Sequence, residues 1–389
     1  MNPLTEAIIQ FTLDLLQQFR KLENDNIFFS PFSISSSLAM VYLGARENTK
    51  QQIKEVLHFN EVTEDATEKA TKQQVDKSEN VHHQFQKLLT MLNKPTDDYE
   101  LKIANKIYEE KTYQFLQEYL DDIKKFYLTS MESLDFINAE EESRKKINSW
   151  VESQTNGKIK DLFPNDSLKD VVLVLVNAVY FKGQWEEKFH KEHTNEEKFW
   201  VNKDSCKSVQ MMKQNGSFNF ASLEDVQAKI LEIPYKGKDL SMIVLLPNEI
   251  DGLQKLEDEL TAEKLIHWMS PQNMSERHVN LYLPRFKVEE SYDLKDTLKA
   301  MGMVDAFSPP DADLSGMNGR HDLVVSKVLH KSFVEVTEEG AEAAAATGVT
   351  LTPLSMAVPQ KFQCDHPFLF FIKQNKMNSI LFFGRISSP

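Results

Sequence analysis

TEEGAEAAAATGVTLTPLSMAV, running from Thr337 to Val358, is the stretch on which the reading of this chain turns. Alanine is the strongest helix former, so the run around Ala341 to Ala346 first suggests a surface helix. Gly340 and Gly348 bracket that run, and a helix so short is unstable alone. As a strand the segment sorts cleanly. Ala341, Ala343, Ala345, Thr347, Val349 and Leu351 share one face that carries no charge. Glu342, Ala344, Ala346, Gly348, Thr350 and Thr352 share the other, and Glu342 is the only charge of the pair. Small side chains let such a strand enter between two existing strands without overpacking. One segment thus has two permitted states, an exposed loop and a buried central strand.

Working outward, Leu323–Val336 reads as a long strand that leads into the segment, and Val171–Val176 as a strand covered on both faces. Lys229–Tyr235 and Leu240–Leu246 flank Lys236-Gly237-Lys238-Asp239 as a hairpin. His278–Leu283 alternates up to Pro284, and Phe368–Ile372 pairs with Ser379–Phe383 as a closing hairpin. The first half is helical instead. Leu4, Ile8, Phe11, Leu15 and Phe19 recur at helical spacing behind Asn2 or Thr5 as a cap. Further helices are predicted around Ile34–Gly44, Thr49–Leu57, Phe85–Leu92, Phe115–Phe126 and Glu141–Thr155, the last stopped by Asn156-Gly157. Helices early and mixed strands late predict an α+β class rather than regular βαβ units. Residues 61–80, EVTEDATEKATKQQVDKSEN, hold only two large apolar residues and read as a mobile polar loop, with a domain linker as the competing reading.

The chain has 389 residues, which at about 150 per domain suggests two or three domains. Its 41% hydrophobic and 27% charged content are ordinary globular values. No run approaches the apolar length of a membrane span. The net charge of −14 repels phosphate backbones and anionic lipid, so nucleic acid and membrane surfaces are not expected partners. Cys206 and Cys364 are too few for a disulfide-stapled scaffold, though one bridge stays open. The first twenty residues show no basic head followed by an apolar core, so no cleaved signal peptide is visible. A cytosolic address is expected, with the nucleus and leaderless release compatible with it.

Enzyme signatures are missing. There is no G-x-S-x-G elbow, no phosphate-binding G-x-x-x-x-G-K and no H-E-x-x-H. His190 and His193 lie in a charged, solvated segment, and adjacent His82 and His83 point about 100° apart on a helix. Asp311, Asp313, Ser315, Gly316 and Asp322 match positions of a calcium-loop template, but Pro309-Pro310 before and a strand after deny it the flanking helices. Neither a metal nor a cofactor is expected.

Several separated pieces together resemble the serpins: NIFFSPFSI (Asn26–Ile34), LVNAVYFKGQW (Leu175–Trp185), LPRFKVEESYDL (Leu283–Leu294), VTEEGAEAAAAT (Val336–Thr347), DHPFLFFI (Asp365–Ile372) and ILFFGRISSP (Ile380–Pro389). The resemblance spans essentially the whole chain. Within the family the chain looks like the intracellular ovalbumin-type clade (clade B), and NSWVESQTNGKIKDLFP (Asn148–Pro164) is most similar to the squamous cell carcinoma antigens. The resemblance implies one domain over residues 1–389, three β-sheets, eight or nine helices and an exposed reactive-centre loop, which corrects the length-based domain count. Residues 336–358 would hold the hinge (Glu338, Glu339, Gly340, Ala341, Glu342, Ala343, Ala344, Ala345, Ala346 and Thr347) and that loop.

Family spacing counts the cleaved bond from Glu338 and places it at Leu354–Ser355, with Leu351, Thr352, Pro353 and Met356 flanking it. The implied activity is inhibition of a protease as a suicide substrate, with no net catalysis by the chain. Leu354 suits the apolar primary pocket of chymotrypsin-like serine proteases. Similar relatives with Leu at this position imply cathepsin G and chymase, and Lys and Arg are absent between Glu338 and Gln360, which disfavours trypsin-like targets. Papain-like cysteine proteases are the alternative, although they read mainly the preceding position, here Pro353. A non-inhibitory serpin is the second alternative, opposed by the small residues Ala341, Ala343 and Ala345. The family positions Ser30, Ser33, Asn177 and His330 match the polar shutter beneath the main sheet, and Trp185 the breach where insertion begins. A monomer is expected, and heparin activation is not, since Lys87 and Lys94 are the only cations of the His82–Lys94 helix.

Overall fold

Asn2 opens the first helix by accepting a hydrogen bond from the Leu4 amide at 2.8 Å, with Pro3 at the first helical position. Helix α1 (Pro3–Leu22) then buries Leu4, Ile8, Phe11, Leu15 and Phe19, the stripe that the spacing predicts. The computed structural model describes residues 2–60, 80–340 and 358–389. The polar stretch 61–79 and most of the segment quoted first, 341–357, lie outside the described residues.

Helix α2 (Pro31–Gly44) is capped by Ser30 and buried around nearly its whole circumference, as its lack of a polar face requires. It packs against the closing strands on one side and the main sheet on the other. Helices α3 (Glu47–Val56), α4 (Val81–Leu92), α5 (Gln117–Tyr127) and α6 (Glu140–Gln154) follow within a few residues of the predicted bounds. Asn156 and Gly157, at φ 51° and 77°, end α6 in the left-handed region, as their sequence foretells. Short helices at Leu253–Glu259, Ala262–Met269, Lys295–Met301 and Ser315–Asn318 bring the α-helical segments to ten among the described residues. The last of these occupies the middle of the calcium-loop template, so those residues form a helical turn and not an open loop.

Two hydrogen-bonded ladders hold the strands. The five-stranded sheet has the order β10 (Phe286–Asp293), β11 (Val325–Val336), β4 (Leu173–Gly183), β2 (Tyr99–Glu110) and β3 (Met131–Leu134). The nine-stranded ladder is two sheets sharing the long strand β6 (Cys206–Leu223), which gives the three sheets of the fold. Residues 206–220 of β6 pair with β5 (Asn195–Trp200) and β9 (Ser275–Pro284), and β9 carries β12 (Gln360–Gln363). Residues 219–223 pair with β7 (Ala228–Pro234), which continues through β8 (Leu240–Pro247), β13 (Phe368–Gln374), β14 (Ser379–Ile386) and β1 (Ile27–Phe29).

Strand β4 runs seven residues past the apolar run Val171–Val176, because Asn177–Lys182 keeps pairing with both β2 and β11 and Gly183 with β2. Strands β2, β3, β5, β6 and β10 carry too many polar residues to be visible as strands from periodicity. β2 even buries Asn105, Glu109 and Glu110.

Candidate functional site: the seam between two parallel strands

β4 and β11 are parallel neighbours, with His330 opposite Asn177 and Phe333 opposite Tyr180. Their outer partners, β2 and β10, run antiparallel to them. A strand entering the seam antiparallel to both would replace one parallel ladder with two antiparallel ones, which pair slightly better per residue. The chain leaves β11 at Val336, at the end of the seam from which such a strand would have to turn back.

Polar groups bridge the inner face of this seam. The Ser30 amide donates to His330 Nε2 at 3.0 Å, so the imidazole proton sits on Nδ1 and is donated to Asn177 Oδ1 at 2.5 Å. Asn177 Nδ2 donates to Ser33 Oγ at 2.6 Å. Ser30 Oγ accepts from the Ser33 amide and donates to the Leu381 carbonyl at 2.6 Å, tying β14 into the same network. All four side chains are buried, and burial pushes the His330 pKa down to about 3, which keeps the ring neutral. Every polar atom is therefore served without a charge. Ser30, Ser33, Asn177 and His330, far apart in sequence, meet here.

The upper end of the seam is held by charge. The Glu338 carboxylate is 2% exposed and receives Arg285 Nε at 2.9 Å, Arg285 Nη2 at 3.1 Å and Thr194 Oγ1 at 3.2 Å. Main-chain bonds add to this clamp: the Trp185 amide donates to the Glu339 carbonyl and the Phe189 amide to the Glu338 carbonyl, both at 3.0 Å. The Trp185 indole donates to the Thr337 carbonyl at 2.7 Å and stacks on Tyr235 with ring centroids 4.5 Å apart. Gly340 bridges to Trp185, and a Cβ there would stand 2.7 Å from the Lys188 Cα and the Trp185 carbonyl oxygen. Lys182 reaches Glu339 at 3.1 Å.

Thus Glu338, Glu339, Gly340 and Trp185 of the sequence-derived set converge at one place. Ala341, Glu342, Ala343, Ala344, Ala345, Ala346 and Thr347, together with Leu351, Thr352, Pro353, Leu354, Ser355 and Met356, lie outside the described residues. Sequence reasoning missed Arg285, Thr194 and Lys182. Arg285 stood inside the quoted LPRFKVEESYDL, but a lone arginine between proline and phenylalanine carries no mark of a partner 53 positions away.

Among the described residues, one group of acidic side chains lies close enough to hold an ion: Glu140, Glu141 and Asp166. Its carboxylates are already used, since Glu141 pairs with Arg144 at 2.9 Å and the Leu168 amide donates to Glu140. His190 and His193 are exposed, with ring centroids 5.6 Å apart. No described helix is long and apolar enough to cross a membrane.

The sequence model of the serpin family, described as serine protease inhibitors, matches residues 6–389. Human Serpin B4 and human Serpin B3 are 71% and 70% identical to this chain, each over the full length of both sequences. The horse leukocyte elastase inhibitor is 47% identical, again over both full lengths. Among solved structures, uncleaved ovalbumin superposes with a TM-score of 0.89 at 39% identity, covering 99% of this chain and 100% of its own. A cleaved, loop-inserted ovalbumin mutant superposes with a TM-score of 0.86 at 38% identity, over the same shares.

Proposed function

This chain belongs to the serpin family, in its ovalbumin-type clade B, and from that premise we propose that it traps chymotrypsin-like serine proteases as a suicide substrate. The protease serine attacks the Leu354 carbonyl carbon, the Leu354–Ser355 peptide bond breaks, and Ser355 leaves as a new amino terminus after taking up the proton. An ester then joins protease and inhibitor. Before water can hydrolyse it, the released segment inserts antiparallel between β4 and β11 and carries the protease with it, distorting its active site. The chain is consumed and turns nothing over.

The observation that carries this reading is the parallel β4–β11 seam, with a neutral network beneath it and a charged clamp at its upper end. The alternating small residues Ala341, Ala343 and Ala345 suit a strand that must slip into that seam. Insertion adds ladder hydrogen bonds and buries apolar surface, so the uncut form is a kinetic trap. Leu354 favours an apolar primary pocket, and the −14 charge of the chain favours encounter with cationic enzymes of that class. We place the protein in the cytosol, where the exposed thiol of Cys206 stays reduced.

The test is incubation with chymotrypsin, cathepsin G and cathepsin L, followed by denaturing gels and sequencing of the released fragment. A denaturant-resistant complex with the serine enzymes and a fragment beginning at Ser355 are expected. Rapid cleavage without complex would leave a non-inhibitory serpin, and a complex with cathepsin L alone would move the target to cysteine proteases. Ala343→Arg is expected to abolish complex formation and leave cleavage intact.

A further inference from the structure

The seam is bridged on its outer face as well, by residues to which nothing above gives a part. Tyr180 and Glu335 project opposite to Asn177 and His330, since strand side chains alternate and each lies an odd number of positions from its neighbour. The Tyr180 hydroxyl donates to Glu335 Oε2 across the seam. Lys287 of β10 lies 3.2 Å from Glu335 Oε1. Lys158, just beyond α6, lies 3.9 Å from Oε2 and 5.3 Å over the Tyr180 ring. Tyr180 and Glu335 are both buried, whereas the two lysines reach solvent.

The charge state of this group is settled by its neighbours. Burial by itself raises the Glu335 pKa, but hydrogen bonds from Tyr180 and Lys287 and the charge of Lys158 outweigh it and hold the carboxyl below its ordinary range. Burial first, and then the bond to Glu335, raise the Tyr180 phenol. The proton therefore stays on the phenol and the charge on the carboxylate, which is the stronger kind of hydrogen bond.

We propose that the Tyr180–Glu335 bond, tethered by Lys158 and Lys287, is a latch that sets how fast the main sheet opens to admit a strand. The proposal rests on the insertion reading given above. Adjacent strands lie about 4.8 Å apart, so a strand placed between β4 and β11 doubles their separation and no O–H···O contact can survive. The Lys287–Glu335 contact survives, because β10 and β11 remain neighbours and these two residues are register partners. The inserted form thus loses one specific bond, and the uncut form is held by it. Tyr180 and Glu335 are positioning residues, since neither touches a protease or the bond it cleaves.

Tyr180→Phe removes the hydroxyl and keeps the ring that packs on Phe333 at 5.3 Å. The probe is a synthetic peptide of residues 341–354, whose incorporation into the uncut protein is followed on native gels. Incorporation about tenfold faster than wild type is expected, the scale of a hydrogen bond to a charged group. The unfolding temperature of the uncut variant should fall, and that of the cleaved, inserted form should stay unchanged, because the bond no longer exists there. A tyrosine that only filled space would leave both unchanged, since phenylalanine keeps the ring. Equal loss in the two forms, or an incorporation rate within twofold of wild type, overturns the latch.

Should Tyr180→Phe fail to fold, Glu335→Gln takes its place. It keeps an acceptor but no charge, so a smaller acceleration of about threefold is expected, and none counts equally against the latch. A wild-type chain that neither takes up peptide nor gains thermal stability on cleavage overturns the insertion reading and the latch with it. Insertion proceeding equally fast in wild type and both variants overturns the latch alone.

Discussion

The inner face of the β4–β11 seam and the clamp at its upper end restrain the same two strands by opposite chemistry. Beneath the seam, Ser30, Ser33, Asn177 and His330 form an uncharged network in which each polar side-chain atom has a hydrogen-bond partner. At the top, Glu338 and Arg285 form a bidentate ion pair in which the glutamate side chain is 3% exposed and the arginine side chain 45% exposed. A neutral network is cheap to bury and costly to break piecemeal, since removing one member strands its partners. A half-exposed ion pair exchanges its partner for water more readily. The difference suggests that the clamp yields first and the inner network resists throughout.

The widest gap between the two regions should appear on truncation. His330→Ala leaves the Ser30 amide and Asn177 Oδ1 unserved beside a cavity, and is expected to cost about 3–5 kcal/mol, read as the first unfolding midpoint in urea. Arg285→Met leaves the Glu338 carboxylate buried with Thr194 as its remaining side-chain donor. Its cost should be about 2 kcal/mol, below that of a fully buried pair because the arginine is half in water. In the double variant Glu338→Gln/Arg285→Met most of that loss should be recovered. If Arg285→Met costs more than His330→Ala, the assignment of the inner network as the stronger restraint fails.

pH separates the same two variants more finely. The folded protein keeps His330 neutral down to about 3, whereas an unfolded histidine protonates near 6.5. Between those values the unfolded chain binds more protons, so stability falls as pH drops, by about 1.4 kcal/mol per pH unit for this one group. His330→Ala should flatten the acid limb of the stability profile by that slope, and Arg285→Met should leave the histidine contribution in place. Equal profiles in wild type and His330→Ala would show that the ring is not held neutral. Gly340→Ala probes the clamp by shape alone, because its Cβ would meet main chain at 2.7 Å. A loss of about 1–2 kcal/mol in thermal unfolding is expected. Trp185→Phe, which removes the indole bond to the Thr337 carbonyl, should cost about 1 kcal/mol.

Legibility differed between the regions for a physical reason. Resemblance picked out Ser30, Ser33, Asn177 and His330 one by one, and the structure brings all four within hydrogen-bonding reach. The clamp was half legible: Glu338 and Trp185 were named, but Arg285 and Thr194 were not, because a salt bridge between distant strands leaves no periodic trace. Among elements, α1, α2 and the closing hairpin stood out through strong apolar periodicity or continuous apolar runs. β2 and β6 did not, since β2 buries two glutamates and an asparagine, of which Asn105 and Glu109 are served by Ser37 and Ser133 of other elements and Glu110 by Thr112 just beyond the strand.

By itself the sequence determined which segment we propose as the inserting strand, since its uncharged alternate face from Ala341 to Leu351 is local and needs no partner to be read. It also determined the helix ends, where caps such as Asn2, Ser30 and Asn156-Gly157 act within a turn. Only the tertiary structure decided which seam the proposed insertion would use. The parallel pairing of β4 with β11, the neutral tautomer of His330, and the Tyr180–Glu335 bond all depend on residues some 150 positions apart becoming neighbours. Their energies come from burial and from mutual hydrogen bonding, which exist only once the sheet has formed.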